Sequence, residues 1–97
     1  MFAAVLRIDL RLPRCTSLKD KRAVVKRVVE RARRDFGVAG AETRFHDLRQ
    51  RTEIGFAALA GDAAHVESVL DTVERHVWSQ PDVEVLSARR SWIELDD

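Results

Sequence analysis

The start of the chain alternates apolar residues with other residues, and this pattern limits the possible folds more than any other feature of the sequence. Apolar residues occupy every second position from Phe2 to Leu12, and the positions between them hold small, aliphatic or charged residues. Successive side chains of a β-strand point to opposite faces, so this pattern predicts a strand with one buried face and one mostly solvated face. Pro13 follows directly and ends the predicted strand.

A helix signal comes next. Ser17 is suited to cap a helix N-terminus, and Asp20 three residues later gives a pattern similar to a capping box, with Asp in place of Glu. Apolar residues recur at helical spacing over residues 18–36, and Gly37 can adopt the left-handed conformation that ends many helices. These features together predict a first helix over this range.

The remainder of the chain predicts three further strands and a second helix. The predicted strands cover residues 38–43, residues 52–58 and a last segment from Val83 to about Leu95. Gly55 marks a close approach or a bulge, and Asp62 is the predicted N-cap of the second helix, which ends before Pro81. The order β-α-β-β-α-β is that of the ferredoxin-like fold. We therefore predict a single α+β, ferredoxin-like domain over residues 1–97, with a four-stranded antiparallel sheet and two helices on one face.

Composition excludes several classes of protein. A chain of 97 residues with 45% hydrophobic residues fits one globular domain. Its single cysteine, Cys15, excludes an internal disulfide and a zinc site built from cysteines. The longest uncharged stretch, residues 54–61, is far shorter than the roughly 20 apolar residues of a membrane span. The N-terminus also lacks the basic start of a signal peptide. We therefore expect a cytoplasmic protein, and the sequence indicates no cofactor, metal site or small-molecule substrate.

Charge is divided sharply between the two halves of the chain. Residues 1–51 carry 14 Lys or Arg and 6 Asp or Glu, a balance of +8, whereas residues 52–97 carry 3 and 10, a balance of −7. Such a split is typical either of a basic binding surface or of two halves that neutralise each other in the folded protein. Because the predicted helices lie side by side, we expect some ion pairing between the basic first helix and the acidic second helix.

Two motifs are more specific than the rest of the chain. Residues 18–22 read Leu-Lys-Asp-Lys-Arg at the start of the first helix, and a D-x-x-Q-R-x-x-x-G pattern runs from Asp47 to Gly55. Together with Ala41-Glu42 and a similarity that runs nearly end to end, they resemble the YlxP family, a small bacterial family whose domain is of unknown function. The resemblance implies a ferredoxin-like fold, in agreement with the order of elements.

The same resemblance implies a setting in translation, because such proteins are often encoded beside ribosome-maturation and translation-initiation factors. It implies no catalytic residue and no cofactor. The family commonly has an aromatic residue at the position of Arg49, so a role that rests on that ring does not carry over to this chain.

The first helix carries the main candidate binding site. At 100° per residue, four of its cations fall within about 60° of one another, along one flank of the apolar stripe. These are Lys19, Arg22, Lys26 and Arg33. Cations spaced along a helix suit the phosphate backbone of RNA, whose charges repeat every few ångströms. The alternative is a solvated flank, since charge runs on helices are often no more than that.

Further cations extend this predicted nucleic-acid site. The helical wheel directs Lys21 toward the apolar side of the first turn. There it either extends past the edge of the sheet to solvent or meets a partner such as Asp20, Asp47 or an external phosphate. The corner formed by residues 17–22 also offers free backbone N–H groups for an anion. Arg49 and Arg51, in the polar connection over residues 44–51, complete the predicted contacts.

The same connection permits a weaker, enzymatic interpretation. A nuclease or hydrolase would use His46 as a general base and Asp47 as its orienting group or as a metal ligand. Adjacent strand residues point to opposite faces, however, and no further carboxylate or histidine lies at metal-ligand spacing. Cys15 lies beside Arg14 just before a helix, a setting that can lower a thiol pKa, but the sequence supplies no base for it.

The sheet face away from the helices is predicted to lack aromatic residues on the first and third strands. Stacking of RNA bases on this face, as in RNA-recognition motifs, is therefore not expected. Part of the face is apolar and resembles a surface that another subunit covers. We predict a homodimer interface made of Val5, Ala57, Leu59, Trp92 and Ile93.

The sequence thus favours a non-enzymatic RNA- or ribosome-associated accessory protein that binds the phosphate backbone through its first helix. Its expected partner is ribosomal RNA or the small ribosomal subunit. The main alternative is a protein-interaction module that dimerises through its sheet face, and the nuclease or hydrolase is a third.

Overall fold

The computed structural model describes residues 1–94, and its elements follow the predicted order. They are β1 (Phe2–Arg11), α1 (Leu18–Phe36), β2 (Ala39–Arg44), β3 (Arg51–Ala60), α2 (Ala63–Trp78) and β4 (Glu84–Ile93). The strands form one antiparallel sheet in the order β2-β3-β1-β4, which confirms the α+β, ferredoxin-like fold. The predicted end of the last strand at Leu95 lies outside the described residues. None of the helices described is long and apolar enough to cross a bilayer.

The alternation in β1 decides which face of the sheet is covered. Leu6, Ile8 and Leu10 are at most 1% exposed, and they lie beside Ile54 and Phe56 of β3. These side chains share one core with the apolar stripes of both helices, so both helices lie on the same face. Burying each such side chain contributes roughly 1.5–3 kcal/mol. The opposite face carries no helix, and we call it the open face.

The predicted helix ends are confirmed. Ser17 Oγ accepts a hydrogen bond from the backbone N–H of Asp20 at 3.0 Å. The Asp20 carboxylate accepts in turn from the backbone and hydroxyl of Thr16, at 3.1 and 2.8 Å, and these bonds lower its pKa. Gly37 ends α1 in the left-handed conformation with φ 67°, and the Asp62 carboxylate caps α2.

The contact between the two helices differs from the prediction. Within residues 1–94, no salt bridge joins α1 to α2, so the expected pairing of the basic with the acidic helix is wrong. The His76 ring of α2 lies instead 3.2 Å from the backbone oxygen of Val28 in α1. Asp71 and Glu74 of α2 bind Arg90 of β4, at 2.8 and 3.2 Å. Part of the acidic charge of α2 is therefore neutralised by the last strand, and the cations of α1 are left to other partners.

Trp92 lies on the helix-covered side of the sheet, so its predicted place in an interface on the open face is wrong. It pairs with Ala4, whose side chain is buried, while Ile93 pairs with Ala3 on the open face. Successive strand residues alternate between faces, so Trp92 and Ile93 cannot both contribute to one sheet surface. Trp92 lines a small cleft beside α2 and stays 45% exposed there.

Candidate nucleic-acid interface

The ammonium group of Lys21 is buried and surrounded by the chain's own oxygens. Its partners are Oε2 of Glu42 at 2.9 Å and the backbone oxygens of Phe45, His46 and Arg51 at 2.7, 3.0 and 3.4 Å. The side chain is 0% exposed, and an ammonium has only three donors, so none is left for an external phosphate. The prediction that Lys21 contacts nucleic acid is therefore wrong. Its carboxylate partner is neither Asp20 nor Asp47.

Glu42 can reach Lys21 because the register of β2 turns the Glu42 side chain toward the helices. It pairs with the buried Ile54, which places its side chain on the side of the sheet that faces the helices. The Thr52 hydroxyl donates a second bond to Oε2 of Glu42 at 2.6 Å. We call Lys21, Glu42 and Thr52 the buried clasp. Neither Glu42 nor Thr52 was predicted as a site residue, although a carboxylate was among the partners that the inward wheel angle of Lys21 suggested.

A second set of contacts holds the same connection against the start of α1. The Gln50 amide donates to the backbone oxygens of Pro13 and Cys15, at 3.3 and 3.1 Å. The two motifs that carry the family resemblance meet in space at Lys21, which belongs to the first and donates to the backbone oxygen of Arg51 in the second. Their shared effect is to fix residues 45–50 beside the N-terminus of α1.

Phe45 shapes this connection. It is the one non-glycine residue with a positive φ, 66°, among the described residues, and that conformation is uncommon for a bulky side chain. Its ring contacts the guanidinium groups of Arg44 and Arg51, each of which lies 4.8 Å from the ring centre. The two cation–π contacts help to hold the left-handed backbone, which directs the Phe45 carbonyl to Lys21.

Arg51 does not join the first helix as a phosphate ligand. Its Nε and Nη2 atoms donate to the two carboxylate oxygens of Asp9, each at 2.7 Å, on the open face of the sheet. This bidentate pair lowers the pKa of Asp9, with the hydrogen bonds from Arg51 as the main cause. The predicted role of Arg51 is therefore wrong, because its guanidinium is engaged on the face opposite to α1.

The four cations predicted along one flank of α1 are exposed, and the structure leaves them nearly unpaired. Lys19, Arg22 and Arg33 have no carboxylate within 4.0 Å among the described residues, and Lys26 lies 4.0 Å from Glu30. We call these four cations the α1 stripe. Arg49, on the connection beside the start of α1, is likewise exposed and forms no ion pair within the described part of the chain.

The other cations of α1 are engaged. Arg27 binds Asp82, after α2, at 2.6 Å, and Arg31 and Arg34 both bind Asp35, at 3.2 and 3.1 Å. Exposed pairs of this kind contribute about 0–1 kcal/mol each, so their main effect is on the local charge. The positive charge of α1 is thus compensated on one side of the helix and concentrated on the other.

The α1 stripe lies on the β2 side of the helix. Val29 neighbours the stripe on the helical wheel and packs close to Gly40 of β2, where a Cβ atom would lie 3.3 Å from Val29 Cγ1. β2 is an edge strand, and α2 packs on the other flank of α1. The stripe therefore borders open solvent rather than the acidic helix.

The residues of the enzymatic alternative are not brought together as acid and base. His46 Nε2 lies 3.2 Å from the backbone oxygen of Glu42, and no hydrogen bond joins it to the Asp47 side chain among the residues described. Within residues 1–94, no three His, Cys, Asp or Glu side chains are grouped to hold a metal. Cys15 is 4% exposed, and this burial raises the pKa of its thiol, contrary to the expected lowering.

Comparison with known proteins identifies a family that matches most of the chain. Residues 3–90 match the family model described as protein of unknown function (DUF503). The "Uncharacterized protein YlxP" of Bacillus subtilis (strain 168) is 37% identical over 76 residues, which cover 78% of this chain and 83% of that protein. A de novo designed protein with a ferredoxin fold, solved by solution NMR, covers 98% of this chain and 88% of its own length. Its TM-score is 0.61 at 13% identity, a likeness of fold alone.

Proposed function

The chain belongs to the DUF503 family of proteins of unknown function, and we propose that it is a non-enzymatic accessory protein that binds RNA through the α1 stripe. Its partner in this proposal is the phosphate backbone of ribosomal RNA, in the cytoplasm, with the small ribosomal subunit as the assembly that presents it. Arg49 contributes a further contact from the connection that is held beside the start of α1.

One observation carries the proposal. The α1 stripe keeps its charge, whereas the remaining arginines of the same helix are paired with carboxylates. Among the described residues, the stripe is thus the part of the helix whose charge is least compensated by carboxylates. The observation supports a surface on which an external polyanion supplies the missing negative charge.

The geometry of the stripe suits a phosphate backbone. From Lys19 to Arg33 the helix rises by roughly 21 Å at 1.5 Å per residue, a length over which an RNA strand presents several phosphates. Two of the four cations are arginines, which bind phosphate oxygens in a bidentate manner. Contacts of this type fix position on the RNA and carry no base sequence, so the expected binding depends on the shape and charge of the RNA.

The salt dependence of binding tests this proposal directly. Neutralising about four phosphates predicts a log–log slope of roughly −2.8 to −3.6, which is a loss of about 50- to 150-fold in affinity between 50 and 200 mM salt. We would measure co-sedimentation of the purified protein with small ribosomal subunits across this range. Binding with a slope near zero, or no binding at 50 mM salt, contradicts the proposal.

A second candidate function rests on the apolar part of the open face. Leu59 is 65% exposed and Ile93 45%, and both flank Ala3 in the strand register, next to the row of Val5 and Ala57. Exposed apolar side chains in neighbouring rows are typical of a surface that another protein covers. A protein-interaction module that dimerises through these residues remains compatible with RNA binding through α1, which lies on the other side of the sheet.

Light scattering with a matched pair of variants tests this second candidate. We expect the wild-type protein to show twice the 11.1 kDa mass of one chain, and the Leu59→Glu variant to show the mass of one chain. The matched control is Leu48→Glu, because Leu48 is 50% exposed but lies on the connection between β2 and β3. A wild-type monomer at high concentration, or a Leu48→Glu variant that dissociates as readily, argues against dimerisation through the open face.

A further inference from the structure

A charged cleft occupies the other part of the open face. It has a volume of about 130 Å³, and its lining residues are Arg7, Asp9, Arg44, Glu53, Ser87 and Arg89. Three arginines from three different strands thus converge on one small, polar recess. The recess lies on the side of the sheet away from α1, so its cations are not part of the α1 stripe.

Arg7 and Arg89 face each other across the β1–β4 pair with no carboxylate bound to either. They are direct partners in the register, and neither forms a salt bridge within the described residues. Like charges directly opposite each other on neighbouring strands are destabilising. The arrangement is therefore unfavourable for the isolated protein, and an anion placed between the two guanidinium groups would relieve it.

The two carboxylates in the cleft are already matched. Asp9 accepts both of its short bonds from Arg51, and these bonds lower its pKa. Glu53 accepts a bond from the Thr43 hydroxyl at 2.8 Å and lies 3.9 Å from Arg44. Counting Arg51 with the three lining arginines gives four cations against these two carboxylates. The excess of two positive charges equals the charge of a phosphate monoester dianion.

The cleft has room for a phosphate group. Its volume of about 130 Å³ is several times the roughly 10–15 Å³ that one ordered water needs, and the Ser87 hydroxyl adds a neutral hydrogen-bond donor to the arginines. We propose that this cleft of the open face binds a phosphate monoester between Arg7 and Arg89. The source is either the terminal phosphate of an RNA strand or a small phosphorylated molecule.

Backbone amide shifts in NMR spectra of the full chain test the site at constant ionic strength. We expect inorganic phosphate to move the amide signals of residues 7, 55, 87 and 89 in a saturable manner, and Arg7→Gln or Arg89→Gln to weaken this binding by about ten- to hundredfold. Both side chains are exposed on the surface, so the variants are expected to fold, which their melting temperatures verify. Arg75→Gln is the matched control, because Arg75 is an exposed arginine of α2 on the helix-covered side of the sheet, and it should leave phosphate binding unchanged.

Two arms of the experiment distinguish the sources of the phosphate. The first arm compares a short RNA that carries a 5′-phosphate with the same RNA that carries a 5′-hydroxyl. If the 5′-phosphate tightens binding, and does so only while Arg7 and Arg89 are present, the ligand is the end of an RNA strand. Equal binding of the two RNAs, with saturable binding of inorganic phosphate, identifies a small phosphorylated ligand. Shifts confined to α1, no shifts at 10 mM phosphate, or shifts that persist in the double variant overturn the proposal. Because the cleft and the α1 stripe lie on opposite sides of the sheet, either can fail without the other.

Discussion

Replacing Lys21 with methionine is expected to lower the free energy of unfolding by about 3–5 kcal/mol. The methionine fills a similar volume but cannot donate, so Glu42 keeps a mostly buried charge with only the Thr52 hydroxyl bound to it. The backbone oxygens of Phe45 and His46 also lose their donor. Since small domains are stable by only about 5–15 kcal/mol, this one change removes a large share of the total. Urea denaturation at 25 °C measures the difference.

The neighbouring Lys19 provides the matched control. Lys19→Met removes the same group from the same helix turn at an exposed position, and its expected effect is within about 0.5 kcal/mol. A double-mutant cycle of Lys21→Met with Glu42→Gln should give a coupling energy of at least about 1 kcal/mol, because the two groups are in direct contact. A Lys21→Met variant that loses less than 1 kcal/mol would show that the buried clasp does not stabilise the fold.

The buried clasp also illustrates where sequence reasoning ended. The helical wheel placed Lys21 toward the core and so revealed that it needed a partner, but the wheel describes one helix and not what packs against it. Glu42 belongs to a strand of only six residues with weak alternation, whose phase relative to the core is set by its register with β3. The partner could be identified only once that register was known.

Trp92 shows the same dependence on register in the last strand. The alternation in β1 is strong enough to predict its two faces correctly, because apolar residues occupy one phase without exception. β4 has no such pattern, and its register with β1 shifts between Asp9 and Leu10. A one-residue shift reverses which side chains face the helices, so the face of Trp92 did not follow from the sequence.

The grouping of the α1 cations on the helix surface was predicted correctly, but the carboxylates that pair with them were not. The wheel correctly grouped Lys19, Arg22, Lys26 and Arg33 on one flank, since that grouping depends only on helix geometry. The predicted neutralisation of the α1 cations by the acidic residues of α2 was wrong, because ion pairing depends on which flanks of the two helices meet. The flank that meets the rest of the chain carries Arg27, which reaches Asp82 after α2. The structure therefore sharpens the binding hypothesis by separating compensated from uncompensated cations of one helix.

Reversing three charges of the α1 stripe, by Lys19→Glu, Arg22→Glu and Lys26→Glu together, is expected to reduce binding to small ribosomal subunits by at least about a hundredfold at 50 mM salt. Three phosphate contacts of the α1 stripe are lost, so the magnitude of the log–log salt slope should decrease by roughly 2 to 3, with the contacts of Arg33 and Arg49 remaining. All three side chains are exposed, and the variant is expected to keep its fold. Co-sedimentation over the same salt range provides the measurement.

A charge-matched variant of the same helix decides whether position or total charge matters. Arg27→Glu, Arg31→Glu and Arg34→Glu change the net charge by the same amount, but these arginines are already paired with Asp82 and Asp35. If the α1 stripe is the binding surface, this second variant weakens binding only through long-range repulsion and keeps the wild-type salt slope. Equal losses in the two variants would mean that RNA responds to the charge of the helix as a whole. The separation of paired from unpaired cations would then not determine binding, which contradicts the proposed function.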